Sequence, residues 1–474
     1  MRLDRVMIAA PKSGSGKTTI TCGLLQALIN MGLNAVSYKC GPDYIDPMFH
    51  RKVLGVPSKN LDTFFTGEEE TKALLVQNRK EGDFAVLEGV MGLYDGLGGV
   101  REEGSSYHLA RVTGTPIILT VDAKGMGRSV IPMIAGFLAY DTKHLIKGVI
   151  LNRMSAASYE TLRPLIEKEL PVSVLGYFPE RRQFQIESRH LGLIMPDETE
   201  HIKERLQMLA EELKKTIAVR EILQIGKTAG EIALPLKASS GGGTKPQQTQ
   251  ADGDAPAVAA ASKKRDAPVI AVASDEAFCF YYEDNLRLLE EYGAKLVRFS
   301  PLRDQTLPAG CSGLLLGGGY PELYAGKLEE NSAMRTAIRK AIESGMPTVA
   351  ECGGFLYLHD SLKDREGKSY AMVGAIPAQC HDAGKLVRFG YIELEEREEG
   401  FLPKGERIRG HEFHYYDSEN NGGDCLARKP VTGKTYACVT ATQSCFWGFP
   451  HLYYPSNPHF AKAFVKKAAA YRER

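Results

Sequence analysis

Pro11-Lys-Ser-Gly-Ser-Gly-Lys-Thr-Thr19 follows the apolar run Val6-Met-Ile-Ala-Ala10 and leads into Ile20, Leu24, Leu25, Leu28 and Met31, apolar at helical spacing. A strand, a glycine-rich turn and a helix are the setting that a phosphate-binding loop requires. Gly14 and Gly16 lack a Cβ, so backbone N–H groups can close around phosphate oxygens, and the helix N-terminus adds partial positive charge. Lys12, Ser13, Gly14, Ser15, Gly16, Lys17, Thr18 and Thr19 form the candidate ATP-binding loop. Lys17 is expected to reach the β- and γ-phosphates, and the Thr18 hydroxyl to ligate Mg²⁺. The usual pattern has Gly where this chain has Pro11. Lys12 stands where the variant loop of a dimeric ATPase group carries a further lysine, which leaves a homodimer open.

The rest of the N-terminal half reads as α/β. Asn34–Cys40 is a second strand, ending in Gly41-Pro-Asp-Tyr-Ile-Asp-Pro47, where Asp43 and Asp46 stand at a strand's carboxyl end. Either acid suits Mg²⁺, directly or through water, and either also suits a plain turn. Phe84–Val90 is a third strand carrying Glu88, a metal-ligand candidate, with Asp95 one loop further out. Pro116–Asp122, Ile146–Leu151 and Val172–Leu175 complete six strands. Asn152, at a strand end, is a candidate adenine reader. Tyr159–Glu169 and Glu198–Val219 read as helices, and Arg189 and His190 lie between them. Strands alternating with helices predict a parallel sheet with right-handed crossovers.

Residues 226–267 read as a linker. Ala238–Ala267 holds no aromatic, Leu or Ile residue and a single Val, too little to bury a core. As a flexible coil it would span roughly 30 Å. Domains are therefore expected at 1–225 and 268–474, the second again α/β. Its strands are Val269–Ala273, Lys295–Phe299, Gly313–Leu316 and the run from Pro347, with a helix from Asn285. Pro347-Thr-Val-Ala-Glu-Cys-Gly-Gly-Phe-Leu356 has the strand, nucleophile, small residues and helix of a nucleophile elbow, with Cys352 as the nucleophile. A helix N-terminus is expected to lower the thiol pKa. Backbone N–H groups at Gly319 and Gly353 are oxyanion candidates. His451 is the favoured base, and His414 the second choice.

Net charge is +1 over 474 residues, so no global field attracts nucleic acid. No run of 18 apolar residues or signal-peptide layout occurs, so no membrane partner and a cytoplasmic location are expected. Nine scattered cysteines without a C-x-x-C pair argue against a zinc or iron–sulfur site.

Together, S-G-S-G-K-T-T, K-C-G-P-D-Y-I-D-P, V-L-E-G-V-M-G-L-Y-D-G, R-H-L-G-L, D-E-A-F-C-F-Y-Y, F-S-P-L-R-D, G-G-G-Y-P-E-L, E-C-G-G-F-L-Y-L and the closing S-N-P resemble the cobyrinate a,c-diamide synthases of corrinoid biosynthesis. The resemblance covers nearly the whole chain apart from the linker. It implies two doubly wound α/β domains: an N-terminal P-loop domain like dethiobiotin synthetase, and a C-terminal class I glutamine amidotransferase domain, flavodoxin-like, of the cobyric-acid branch. It implies ATP- and glutamine-dependent amidation of the a and c acetates of a tetrapyrrole polycarboxylate. Cys352 is then the nucleophile and His451 the base. Lys17, Thr18, Asp43 and Glu88 fall to the ATP and Mg²⁺ site, and Tyr44, Asp46 and Asp95 to the acceptor. The chain departs from the general class I His-x-Glu pattern with Tyr453, which implies that main chain or solvent orients the base. Arg51, Lys52, Arg181, Arg182 and Arg189 are candidates for a basic surface facing the acceptor carboxylates. Ni-sirohydrochlorin or hydrogenobyrinate as acceptor keeps the same chemistry. A partitioning-type ATPase switch is the rival of a different class.

Overall fold

A computed structural model describes residues 1–77, 79–80, 83–184, 202–233 and 267–473. Arg189, His190 and the linker core lie outside the described residues. The first sheet has seven strands, all parallel: β1 (Asp4–Ala9), β2 (Ala35–Cys40), β3 (Ser58–Leu61), β4 (Phe84–Glu88), β5 (Ile117–Asp122), β6 (Ile146–Asn152) and β7 (Ser173–Phe178). Their spatial order is β3-β2-β4-β1-β5-β6-β7. β1 therefore lies centrally, paired with β4 on one side and β5 on the other. The chain reverses its winding there, so the turn after β1 opens at the crevice where such sheets bind ligands.

The seventh strand is the addition to the sequence reading. Ser58-Lys-Asn-Leu61 is short and polar at three of its four positions, without the apolar run that marks a buried strand, but it is an edge strand paired only with β2. The helix expected over Glu198–Val219 is instead Ile202–Thr216 followed by Val219–Gly226. The break falls where Ile217 bridges Gly176 and the Ala218 N–H donates to the Leu175 carbonyl, so packing against β7 interrupts the helix. The N-terminal domain also runs past 225. Ile232 is buried and trades hydrogen bonds with Met1. The buried Arg5 guanidinium donates to the Leu3 carbonyl, the Thr115 hydroxyl and the Gly230 carbonyl. Residues 226–233, read as linker from sequence, thus pack on the N-terminal domain.

The second domain is built on β8 (Val269–Ala273), β9 (Lys295–Phe299), β10 (Cys311–Leu316), β11 (Thr348–Glu351) and the strand Cys445–Gly448. They are parallel in the order β9-β8-β10-β11-(445–448), with Thr440–Ala441 added antiparallel at the edge. This is the flavodoxin-like order. Two further sheets formed between His359 and Leu452, one mixed and one antiparallel, lie beside it. Among the described residues no helix is long and apolar enough to cross a membrane.

The two domains meet through aromatic side chains. Tyr44 and Phe65 of the first pack with Phe280, Tyr282, Tyr391, His411 and Tyr453 of the second. Polar ties frame this seam. The Tyr391 hydroxyl donates to Asp62 at 2.5 Å, Arg409 donates to the Phe64 carbonyl at 2.5 Å, and Lys59 pairs with Asp284 at 2.8 Å. Asp62 also caps the helix Thr63–Val76 by accepting from the Phe64 and Phe65 N–H groups. Docking and helix initiation therefore share one carboxylate. Tyr391→Phe keeps the cap and removes only the interdomain hydroxyl. It is expected to cost about 1 kcal/mol, measured as a lowered midpoint in denaturant unfolding.

Candidate functional site

The helix Lys17–Asn30 starts at Gly16, whose φ of 93° and neighbouring Gly14 φ of 74° make the left-handed bends of the loop. Gly16 also has no room for a side chain, because a Cβ would lie 2.1 Å from the Asn152 amide nitrogen. Asn152 donates to the Ser15 carbonyl at 2.8 Å, and Arg153, locked to Asp122, donates to the Gly14 carbonyl at 3.0 Å. Asn152 is thus a brace for the loop, through one N–H of its side-chain amide, and is 6% exposed. Arg153, given no role from sequence, is a second brace. Lys12 and Ser13 stand exposed, while Lys17 is buried and turns back to the Met91 and Lys12 carbonyls at 2.6 and 3.3 Å. Burial, helped by Lys39, lowers the Lys17 pKa to about 8.

At the carboxyl ends of β2 and β4 lies a buried ionic cluster. The Thr18 hydroxyl donates to Glu88 Oε1 at 2.6 Å. Lys39 Nζ bonds the same oxygen at 2.9 Å, ion-pairs closely with Asp46, and lies 3.7 Å from Asp43. Burial alone would discharge Lys39, but Asp46 and Glu88 overcome it and hold the ammonium well above its usual pKa. Burial and the charge of Asp46 push the Asp43 and Glu88 carboxyls up to about 7. Asp46 works against the same burial through its bond to Lys39 and stays low. Asp43 takes the turn role its sequence allowed: one oxygen accepts the Ile45 N–H at 2.8 Å, and the other lies 3.7 Å from Lys39.

Asp46, 3% exposed, is spent on Lys39 and belongs to this cluster. Tyr44 faces the second domain, where its ring fills the aromatic seam. Asp95 is half-buried, accepts from the Gly92 N–H at 2.9 Å and adds its charge at Lys17. Lys39 and His50 were missed from sequence. His50 sits behind the cluster, 2.9 Å from the Ser37 hydroxyl and 3.9 Å from Glu88 Oε2. Among the described residues no three His, Cys, Asp or Glu side chains hold a metal by themselves. A hard cation with water and phosphate oxygens needs fewer protein ligands. The Thr18 hydroxyl and the buried, unbonded Glu88 Oε2 fit such an ion.

In the second domain Cys352 closes β11 with φ 47° and ψ −101°, a strained bend held by its N–H donating to the Gly448 carbonyl at 2.9 Å. Gly354 is required next to it: a Cβ there would meet the Leu316 carbonyl at 2.1 Å. A Cβ on Gly353 would lie 3.0 Å from the Gly319 nitrogen, and one on Gly318 would lie 2.5 Å from His451 Cε1. The Gly317–Gly319 loop therefore brings the two oxyanion candidates together and sits against both the elbow and His451. The expected depression of the thiol pKa is not found. Burial pushes the Cys352 thiol up, Glu322 adds to it, and the short helix Gly353–Leu358 does not compensate.

His451 lies on the edge strand His451–Leu452, paired with Gly410–His411. Burial, then His414, lowers its pKa to about 3, and its Nδ1 has no hydrogen-bond partner among the described residues. Among the described residues no carboxylate bonds it. Tyr453 donates to Asp284 instead, at 3.1 Å. Ring packing holds His451: His411 stacks on it at 4.9 Å and Tyr44 lies at 5.3 Å. His414 is stacked on Phe449 with its Nδ1 on the Tyr416 carbonyl. The resting pair is a neutral thiol and a neutral imidazole, so attack requires proton transfer from one to the other.

The basic candidates do not form one surface. Arg51 and Lys52 line a cavity of about 320 Å³ with Arg298 and Arg303, and Arg51 pairs with Glu283 at 3.1 Å. Arg181 pairs with Glu212 beyond β7. The Arg182 side chain and Arg189 lie outside the described residues.

Glu351, beside Cys352, is buried, and burial raises its pKa to about 8. A carboxyl whose folded pKa exceeds its unfolded value stabilises the fold most at low pH, and that stability fades as pH rises toward the folded pKa. Glu351→Gln keeps an acceptor for the Tyr454 hydroxyl. Its unfolding midpoint is expected to fall less than that of the unaltered chain between pH 5 and pH 8.

Comparison with known proteins gives two domain matches. Residues 6–194 match the CobQ/CobB/MinD/ParA nucleotide binding domain, and residues 269–446 the CobB/CobQ-like glutamine amidotransferase domain. The chain is 38% identical over 469 residues to cobyrinate a,c-diamide synthase of Caldanaerobacter subterraneus subsp. tengcongensis, covering 98% of each chain. The enzymes of that name from Listeria innocua serovar 6a and Thermoplasma acidophilum are each 36% identical. They cover 96% and 98% of this chain and 97% and 99% of their own. Among solved structures, PurLQS from Thermotoga maritima aligns with 44% of this chain and all of its own, at 18% identity and a TM-score of 0.31. An ATP-binding loop and a glutamine-hydrolysing elbow in one polypeptide, with relatives matched end to end, place this chain in the cobyrinate a,c-diamide synthase family of glutamine-hydrolysing ligases.

Proposed function

We propose that this chain amidates the a and c acetate carboxylates of cobyrinate through acyl phosphates, in cobalamin biosynthesis. One observation supports the reading above the others. Tyr44 touches His451, and two residues later Asp46 pairs with Lys39 in the cluster that binds Glu88 and Thr18. A nitrogen-releasing centre and a phosphate centre thus share one loop.

Cys352 gives its proton to His451 and attacks the glutamine carboxamide, with the Gly319 and Gly353 amides donating to the oxyanion. The C–N bond breaks, ammonia leaves with that proton, and a glutamyl thioester remains. Water, deprotonated by His451, then releases glutamate and restores the thiol. In the other domain an acceptor carboxylate oxygen attacks the ATP γ-phosphorus, and ADP departs. Lys17 and the loop amides take up charge on the transferred phosphoryl. Thr18, Glu88 and Asp43 would hold Mg²⁺, which supplies charge neutralisation to the phosphates. Ammonia attacks the acyl phosphate carbon, the C–O bond to phosphate breaks, and amide, phosphate and a proton result. Phosphorylation is needed because a bare carboxylate has no adequate leaving group.

Cys352→Ala is expected to lose glutamine-dependent amidation by at least about 10³-fold while amidation from added ammonium salt persists, both read as a mass shift per amide. Loss of both would count against the division of labour between the domains. The acyl phosphate is tested with cobyrinate labelled with ¹⁸O in its carboxylates. One label per amide should appear in inorganic phosphate, and unlabelled phosphate would exclude the intermediate. Ni-sirohydrochlorin offered in parallel identifies the acceptor by which ring gains mass.

A further inference from the structure

Of the ten most exposed large apolar side chains among the described residues, three gather in one place: Phe389 at 60%, Tyr415 at 48% and Leu386 at 41%. Single exposed apolar residues are ordinary, whereas a contiguous patch marks a binding surface. The patch is ordered. Phe389 and Phe413 meet edge to face at 5.5 Å, and Phe413 and Tyr415 do so at 5.8 Å.

Its position gives it meaning. Strands Arg388–Glu396 and Arg407–His414 pair antiparallel, with Phe389 opposite Phe413 and Tyr391 opposite His411. Side chains two residues apart share a face and stand about 7 Å apart. The exposed Phe389–Phe413 rung is therefore one step outward from the Tyr391–His411 rung. That inner rung is built into the seam: His411 packs on Tyr44, and Tyr391 bonds Asp62. A Cβ on Gly41 would lie 3.6 Å from the Tyr391 hydroxyl and 3.4 Å from Val90, so the ribbon adjoins the loops that end β2 and β4. Those loops carry Asp43, Asp46 and the Met91 carbonyl held by Lys17. Two cations border the patch: Lys385 is exposed on the loop before Phe389, and Lys429 donates to the Phe389 carbonyl at 2.9 Å.

We propose that the ladder Phe389–Phe413–Tyr415 is the platform on which the acceptor macrocycle rests, its ring against the aromatics and its carboxylates toward Lys385 and Lys429. This assignment rests on the reading of the acceptor as a tetrapyrrole polycarboxylate. A broad conjugated ring with a charged rim matches an aromatic surface with a cationic border, and stacking on aromatic rings suits any such ring whatever its central metal. The platform would hold the ring beside the phosphate loop while the acetates reach into it, so both acetates can be presented without rebuilding the site.

The test uses the full chain with cobyrinate as probe, titrated by ring absorbance and followed by acceptor-dependent ATP hydrolysis. Phe389→Ser and Tyr415→Ala are expected to raise the cobyrinate Kd and KM by roughly tenfold, with the KM for ATP within twofold. Lys385→Glu should raise the cobyrinate KM and steepen its dependence on salt. Met208→Ser, equally exposed on the helix Ile202–Thr216, is the control. Unchanged cobyrinate affinity in all three ladder and lysine variants, with the unaltered chain active, overturns the platform alone. A change of oligomeric state in Phe389→Ser with cobyrinate KM unchanged makes the patch a subunit contact and also overturns it. An unaltered chain that neither binds cobyrinate nor hydrolyses ATP in response to it overturns the functional reading itself.

Discussion

Tyr44 belongs by sequence to the nucleotide domain and by packing to the other. Its ring lies parallel to Phe280 at 5.2 Å, meets Tyr282 at 4.4 Å, and approaches the His451 ring at 5.3 Å. Burying one tyrosine between two domains fixes the loop Gly41–Pro47, because Asn60 holds the Gly41 and Asp43 carbonyls at 2.8 and 2.7 Å. Everything that the loop carries then has a fixed place relative to Cys352. Aromatic pairs add about 0.5–1.5 kcal/mol each beyond area burial, and several such pairs line the seam.

The second constraint is electrostatic. Three carboxylates gathered at the carboxyl ends of β2 and β4 repel one another, and burial raises the cost of charging each. Lys39 reconciles them by reaching all three. The acids do not share it equally: Asp46 takes the closest pairing and stays ionised, while Asp43 and Glu88 are pushed toward neutrality. A second positive charge arriving with the triphosphate would favour the ionised forms of Asp43 and Glu88, which ties ligand binding to proton release. On the sulfur side the same logic runs through burial. A thiol raised and an imidazole lowered hold their proton on sulfur until a substrate arrives, which protects the nucleophile at rest.

The sequence carried the strands with strong apolar runs, the loop at residues 11–19, and the elbow at Cys352, because each depends on short-range pattern. It did not carry β3, whose Ser58 and Asn60 look like turn residues and become strand only through pairing with β2. Nor did it carry the antiparallel ribbon of residues 388–414, whose role depends on contacts some 350 residues away in sequence. The site residues divide in the same way. Lys17, Thr18 and Cys352 lie in motifs readable from a few consecutive residues, whereas the contacts of Tyr44 with the second domain and of Asn152 with Ser15 join residues distant in sequence. Lys39 offered no signal beyond being a polar residue inside a strand, yet that oddity is the mark of a buried ion pair.

On the proposed function, nitrogen freed at Cys352 is used beside the phosphate loop across the Tyr44 seam, and it should reach the activated carboxylate without mixing with solvent. The direct measurement is amidation of cobyrinate with glutamine bearing ¹⁵N in its amide, in the presence of excess unlabelled ammonium, with the isotope content of the product read by mass. The account predicts product amide that is nearly all ¹⁵N. Label diluted in proportion to the free ammonium would contradict it.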